Sequence, residues 1–236
     1  MPLPSSLAER LRLPVVAAPL FLVSGPELVI AACRAGVLGS FPALNQRTTR
    51  GLREWLCRLD EELTDADAPY AVNLIVHPSN TRVQADLEAL VEHRVPVVIT
   101  SLGAVPDVVS AVHSYGGLVL HDVTTERHAH KAAEAGVDGL ILVAGGAGGH
   151  AGTINPFALM ATVRPWFDGI VALAGTLLRR TTTDLEVRAV TDVLGAGAPA
   201  DGVTLRVVLQ PDGDGWVPVA SYVVRGPDGT EAQPAS

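Results

Sequence analysis

The chain predicts an α/β fold built on a parallel sheet, and three observations carry that prediction. Short apolar runs recur from the amino terminus to residue 175, and an amphipathic segment follows each of them. Two of those segments close on the same Ala-Gly pair, Ala35-Gly36 and Ala135-Gly136. Strand-then-helix units repeated in this way give parallel strands joined by crossover helices. The sheet is then either open and doubly wound or closed into a barrel.

Strands are expected over residues 14–20, 37–44, 70–76, 95–102, 117–123, 139–144 and 169–175. They are near-continuous apolar runs rather than alternating ones, as parallel strands covered on both faces should be. Between them, Ser24-Gly-Pro-Glu27 opens one helix, with proline pre-set for a first helical turn. Ser79 or Asn80 is expected to cap a helix over 84–93, and Thr125 one over 126–135. Gly136 stands where a left-handed residue would end that helix.

The βα pattern stops near Gly175. After Thr181-Thr-Thr-Asp184 a helix ending at Leu194 is expected, then a loose linker, Gly195-Ala-Gly-Ala-Pro-Ala-Asp-Gly202. Residues 203–209 and 216–224 read as two strands around the turn Pro211-Asp-Gly-Asp-Gly215, a hairpin signal. Residues 226–236 read as a disordered tail.

With 236 residues, 48% of them hydrophobic and only 4% aromatic, the core must be built from Ala, Val and Leu. The 17 basic residues against 25 acidic ones give a net charge of −8, and the basic residues form no run. Nucleic acid and anionic membranes are therefore not expected partners. Cys33 and Cys57 show no metal or disulfide spacing, which points to a reduced, cytoplasmic, soluble chain. The start lacks signal-peptide order, and no apolar run is long enough to span a bilayer.

One segment concentrates chemistry: Gly139-Leu-Ile-Leu-Val-Ala-Gly-Gly-Ala-Gly-Gly-His150-Ala-Gly152. A buried-strand pattern runs into a glycine turn that holds one imidazole. Glycines allow close backbone approach to a ligand, and a histidine there titrates near neutral pH. No Lys-Ser/Thr follows, so the turn is not a P-loop. Gly146-Ala-Gly148-Gly-His-Ala151 fits the dinucleotide pattern formally, but Asn155-Pro156 delays the next helix and the turn follows the sixth strand rather than the first. A solvated glycine loop is the remaining reading of these letters by themselves.

Ala147-Gly-Gly-His150-Ala-Gly152, followed by Pro156-Phe157, resembles the nitronate monooxygenase (2-nitropropane dioxygenase) family. Ala17-Ala18-Pro19-Leu20 resembles that family's Ala-Pro-Met at the end of the first strand, and Ala71-Val-Asn73-Leu its third-strand Val-Asn-Leu. Asp122-Val-Thr-Thr and Ala135-Gly-Val-Asp-Gly139 resemble its fifth and sixth units. The resemblance runs collinearly over residues 13–175. It implies an FMN-dependent (β/α)8 TIM-barrel-like fold, here incomplete at about seven strands, with a C-terminal β-hairpin extension. It also implies that Ala18, Pro19 and Leu20 line the flavin ring, that Asn73 hydrogen-bonds FMN, and that Gly148 and Gly149 bring backbone amides to the cofactor. His150 would face flavin and substrate as the catalytic residue, and Gly175 would belong to the phosphate-binding loop. The implied domains are an FMN-binding barrel-like region over 1–180, a helix plus hairpin over 181–225 and a tail over 226–236.

His121, at the end of the fifth strand, is a candidate to meet substrate in the same cavity, against a structural role, and Thr100 and Ser101, which end the fourth strand, are candidates to touch cofactor or substrate. His128 and His130, two apart on a helix, do not share a face and read as solvated. The cysteines read as packing residues. No metal site is expected. After Gly175 the family's phosphate-gripping turn and its Gly-Thr-Arg-Phe-like eighth strand have no counterpart, so weak FMN binding, or none, is expected of the isolated protein. Unpaired first and seventh strands would make self-association an expectation as well. The implied reaction is oxidation of a nitronate or nitroalkane by O2 to a carbonyl compound and nitrite. The alternatives are a flavin-dependent NAD(P)H enoyl or quinone reductase and a catalytically degenerate, truncated barrel that is an interaction module or a non-functional product.

Overall fold

The computed structural model describes residues 4–103, 105–147, 152–174 and, as backbone, 176–180, 185–190, 204–212, 215–220, 224–225 and 231–232. The chain divides into two compact units, one of residues 3–123 with 127–140, the other of 1–2, 124–126 and 141–236.

In the first unit a short helix α1 (Ser5–Ala8) precedes β1 (Val16–Ala17), α2 (Pro26–Arg34), β2 (Leu38–Pro42) and a 3-10 turn at Ala43–Asn45. Then come α3 (Thr49–Glu62), β3 (Tyr70–Ile75), α4 (Val83–Glu92), β4 (Val97–Ser101), α5 (Pro106–His113), β5 (Leu118–Val123) and α6 (Glu126–Glu134). Strands β1 to β5 pair parallel in sequence, with registers that include Ala17↔Gly39, Pro42↔Asn73, Asn73↔Ile99 and Thr100↔His121. The sheet continues through β6 (Gly139–Val143) and β7 (Ile170–Ala174), and its seven strands lie in chain order. A doubly wound sheet reverses its strand order at a switch point; this one does not, which decides for a barrel-type winding. All seven strands fall inside the ranges expected from the apolar runs, β1 contracting to two residues.

The helices pack by the spacing of their apolar residues. Leu52, Leu56 and Leu59 of α3 form one stripe and are completely buried, with Phe41 of β2 edge-on to Trp55 at 5.4 Å. Thr48 caps α3 by accepting from the Gly51 amide at 3.0 Å. Gly36 and Gly136, both at positive φ, end α2 and α6 with paired backbone bonds of the Schellman kind, Val37 N to Ala32 O and Val137 N to Ala132 O. The expected cap of α4 needs correction. Arg82 occupies the cap position, and Asn80 instead bridges Ile75 O and the Arg82 amide. A side chain bonded to the preceding strand's end is not free to reach the helix's first turn.

In the second unit, α7 (Pro156–Val163) is capped by Asn155, whose Oδ1 accepts from Phe157 and Ala158. Strands β8 (Thr176–Arg180), β9 (Leu185–Val190), β10 (Thr204–Asp212) and β11 (Gly215–Ala220) form an antiparallel sheet in the order β11-β10-β9-β8. The helix expected to end at Leu194 is thus replaced by a strand over 185–190. Leu-Glu-Val-Arg-Ala-Val alternates with period two, which suits a half-covered antiparallel strand and gives a helix no apolar stripe. The hairpin turn lies between β10 and β11, with Asp212 opposite Gly215. Within the tail expected to be disordered, β13 (Glu231–Ala232) pairs with β12 (Val224–Arg225). The expected linker over 195–202 lies outside the described residues.

Candidate functional site

Parallel register fixes which side chains share a face. A β-carbon on Gly39 would stand 2.6 Å from Val29 O and 3.1 Å from Cys33 Sγ, so the face bearing Gly39 is the one packed on α2. Alternation along the strands and the observed registers put Phe41, Leu74, Thr100 and His121 on that helix-covered face. Pro42, Asn73, Ser101 and Asp122 fall on the opposite face, at the carboxyl ends of β2 to β5. Barrel enzymes assemble their sites at that end of the strands.

Three polar groups meet there. Asn73 Nδ2 donates to Ile99 O at 3.1 Å and to Ser101 Oγ at 2.7 Å, and the Ser101 hydroxyl donates to Asp122 Oδ2. Asn73 and Ser101 are buried, 5% and 7% exposed. Burial holds the Asp122 carboxyl above its ordinary range, while the Ser101 hydroxyl bond pulls it back. Asp122 was not among the residues singled out for the site. Its signal was its place next to His121 at a strand end, and only the register shows which of the two neighbours faces away from the helices.

His121 lies on the other face. Its Nδ1 lies 2.7 Å from Thr100 Oγ1, whose hydroxyl also lies 3.3 Å from Leu120 O. Burial, with the charge of His128 on α6, holds its pKa down at about 4. The imidazole is thus neutral near pH 7 and buried beside Thr100, on the face that packs against the helices.

The loop after β1 is rigidly made. Asn45, at the end of the 3-10 turn, accepts from Leu22 N at 2.9 Å and donates to Leu20 O at 3.0 Å and Ser24 O at 2.7 Å. The buried hydroxyl of Ser24 accepts from Leu20 N and donates to Ala18 O. Leu22 is held at φ 61°, and Leu20, Phe21, Leu22 and Val23 are all at least half exposed. Ala18, Pro19 and Leu20 thus stand at the carboxyl end of β1, as expected, on a loop whose anchor, Asn45, went unnoticed.

In the second unit, Gly145 donates to Ile154 O at 2.7 Å, and a β-carbon on Gly152 would meet Val143 O at 2.3 Å. Glycine is required there by close backbone approach. Gly148, Gly149, His150 and Gly175 lie outside the described residues. Among the described residues no group of metal-ligating side chains occurs, and no helix is long and apolar enough to cross a membrane.

No protein-family model matches the chain. Among curated proteins it is 28% identical over 162 residues, 69% of the chain and 44% of the relative, to a 5-hydroxy-7a-methyl-1-oxo-octahydro-1H-indene-4-carboxyl-CoA dehydrogenase of Rhodococcus jostii. It is 28% identical over 234 residues, 84% of the chain and 62% of the relative, to a nitronate monooxygenase of Pseudomonas aeruginosa. The chain therefore spans about half the length of the curated relatives it matches. Among solved structures, nitroalkane oxidase from Streptomyces ansochromogenes superposes with a TM-score of 0.63 at 27% identity, covering 72% of this chain and 60% of that one. FabK from Thermotoga maritima gives 0.63 at 25%, covering 72% and 52%. An enoyl reductase domain of MlnA, at 16% identity, shares the fold. These relatives bear oxidoreductase names, and they agree with the incomplete barrel-type sheet seen here. The chain is thus similar in sequence to a nitronate monooxygenase and in fold to nitroalkane oxidase and FabK.

Proposed function

We propose that this chain is a flavin oxidoreductase that binds FMN and oxidises alkyl nitronates or nitroalkanes with O2 to a carbonyl compound and nitrite. The observation that carries the reading is the Asn73–Ser101–Asp122 cluster toward the carboxyl ends of three consecutive strands, on the face opposite the one that packs on α2. The homology to a nitronate monooxygenase supports it. The donor set fits an uncharged, planar ring: small or apolar residues at Ala18, Pro19 and Leu20, and one amide at Asn73. When bound, FMN supplies reversible electron acceptance from the substrate.

The roles of this chain's residues follow from their chemistry. Ala18, Pro19 and Leu20 form an apolar wall and exclude water. Gly148 and Gly149 offer backbone amides, and Gly175 belongs to the loop that takes the phosphate. His150 donates a hydrogen bond to the nitronate oxygens, or removes the α-proton when the neutral nitroalkane is the substrate. Ser101 meets the substrate side of the ring. The protein acts in the cytoplasm on small molecules, without nucleic acid or membrane partners, and its sheet edges favour a homo-oligomer.

The test is an FMN titration by fluorescence quenching, with nitrite release as the activity readout. Wild-type protein is expected to bind FMN and release nitrite, Asn73→Leu to lose FMN affinity at least tenfold, and His150→Ala to lose turnover while keeping its FMN affinity. Protein that takes up no FMN refutes the reading. The neighbours FabK and the MlnA enoyl reductase favour a second reading, an NAD(P)H-dependent flavin reductase. Anaerobic bleaching of bound flavin by NADPH would decide for it.

A further inference from the structure

We infer that Asp122 is a positioning residue that works through Ser101 to fix the Asn73 amide with its oxygen, not its nitrogen, presented to the ligand. The inference deepens the flavin reading and rests on it only for the ligand's identity.

A carboxylate only accepts, so the bond between Asp122 Oδ2 and Ser101 Oγ uses the single hydroxyl proton of Ser101. Ser101 Oγ is left as an acceptor, and the group that faces it at 2.7 Å must be a donor, the Asn73 NH2. The second amide hydrogen goes to Ile99 O at 3.1 Å. Both hydrogens of the amide are then consumed, and Asn73 Oδ1 has no partner among the described residues. The side chain can meet a ligand only as an acceptor.

The reverse amide orientation would set Oδ1 against Ile99 O and would leave Ser101 Oγ facing an oxygen with its proton already committed. Two buried acceptor–acceptor contacts at these distances cost far more than one lost bond. Asp122 is thus the origin of the order, Ser101 transmits it and Asn73 expresses it. The consequence is a selection rule for the site: Asn73 takes an N–H or O–H donor, such as a flavin ring imide or a sugar hydroxyl, and rejects a bare anion such as phosphate or a carboxylate.

The relay is readable without any ligand. In protein labelled with 15N-asparagine, Asn73→Asp identifies the Asn73 side-chain peak, whose two hydrogens should exchange slowly with solvent. Asp122→Ala is expected to shift that peak and speed its exchange at least tenfold. Asp122→Asn, which keeps an oxygen able to accept from Ser101, is expected to restore slow exchange. A peak indifferent to Asp122→Ala, or one that Asp122→Asn fails to rescue, overturns the proposal. Ser101→Ala cuts the same relay one step nearer and is expected to reproduce the Asp122→Ala spectrum, so a poorly folded Asp122→Ala leaves the question decidable. A second arm measures FMN dissociation constants for the same proteins, expected tenfold weaker in Asp122→Ala and recovered in Asp122→Asn. Reorientation of the amide in protein that binds no FMN at all would sink the flavin reading and leave the positioning role standing.

Discussion

The Asn45→Ala substitution should melt the loop after β1 and spare the fold around it. Asn45 holds that loop by three bonds, from Leu22 N and to the carbonyls of Leu20 and Ser24. Each is worth about 0.5–1.5 kcal/mol net, because the exposed backbone groups recover water when released. Against that loss, Leu22 escapes a left-handed backbone at φ 61°, which returns about 1–2 kcal/mol. The loop opening should therefore become easier by about 1.5 kcal/mol, roughly tenfold in its equilibrium.

Hydrogen exchange followed by mass spectrometry reads this directly. Among the described residues the Leu22 amide has Asn45 Oδ1 as its partner, so a peptide spanning residues 19–24 should take up deuterium about tenfold faster in the variant. The unfolding midpoint should hardly move, because Leu20 to Val23 are exposed and add little to the core. Since Ala18, Pro19 and Leu20 lead into the clamp, FMN affinity should fall with the loop's order. Unchanged uptake in this peptide would refute the clamp. Faster uptake across the whole first unit would show that Asn45 fastens the sheet and not the loop.

Two further outcomes follow from buried groups. His121, with its pKa held at about 4 against 6.5 when unfolded, stays neutral in the fold while the unfolded chain takes up a proton between those values. Stability should therefore fall as pH drops from 6.5 to 4, by about 2–3 kcal/mol from this residue. Urea midpoints at pH 7 and pH 4.5 should show that loss in wild type and much less of it in His121→Gln; equal losses would remove His121 as the cause. Asp122 acts in the opposite sense. Its raised carboxyl favours the fold below the unfolded pKa of 3.8, and that contribution is lost as pH rises through the folded value. Cys33 is completely buried and its thiol is pushed up to about 11, whereas Cys57 is exposed. Iodoacetamide at pH 8 should label one thiol per native chain, at Cys57, and the second only in denaturant. Labelling of Cys33 at a comparable rate would mean that α2 opens from β2.

What the sequence discloses of the fold and what it withholds have physical causes. The seven parallel strands are legible because burial on both faces writes them as unbroken apolar runs, and Gly36 and Gly136 are legible because few residues other than glycine sit easily at φ near 80°. Strand β9 escaped because period-two alternation over 185–190 is short and its charges, Glu186 and Arg188, also suit an exposed helix. Asn45 escaped because its partners lie more than twenty residues away, and nothing local marks an amide that clamps a distant loop.

The site itself turns on a single unreadable quantity, the face of the sheet. His121 and Asp122 are adjacent, and alternation guarantees that they point opposite ways, but it cannot say which one meets the helices. The decision comes from Gly39, where the missing side chain lets Val29 and Cys33 of α2 approach, and register carries it across four strands to β5. Chemical intuition ranks the histidine above the aspartate at a strand end. Register separates them: the imidazole lies beside Thr100 on the face packed against helices, and the carboxylate stands on the opposite face with Ser101 and Asn73. A one-residue slip of β5 against β4 would exchange the two, put an unpaired carboxylate beneath the helices and cost several kcal/mol by burial of a charge, about what holds a small domain together. The same penalty that fixes the register therefore fixes which of the two neighbours stands beside Ser101 and Asn73.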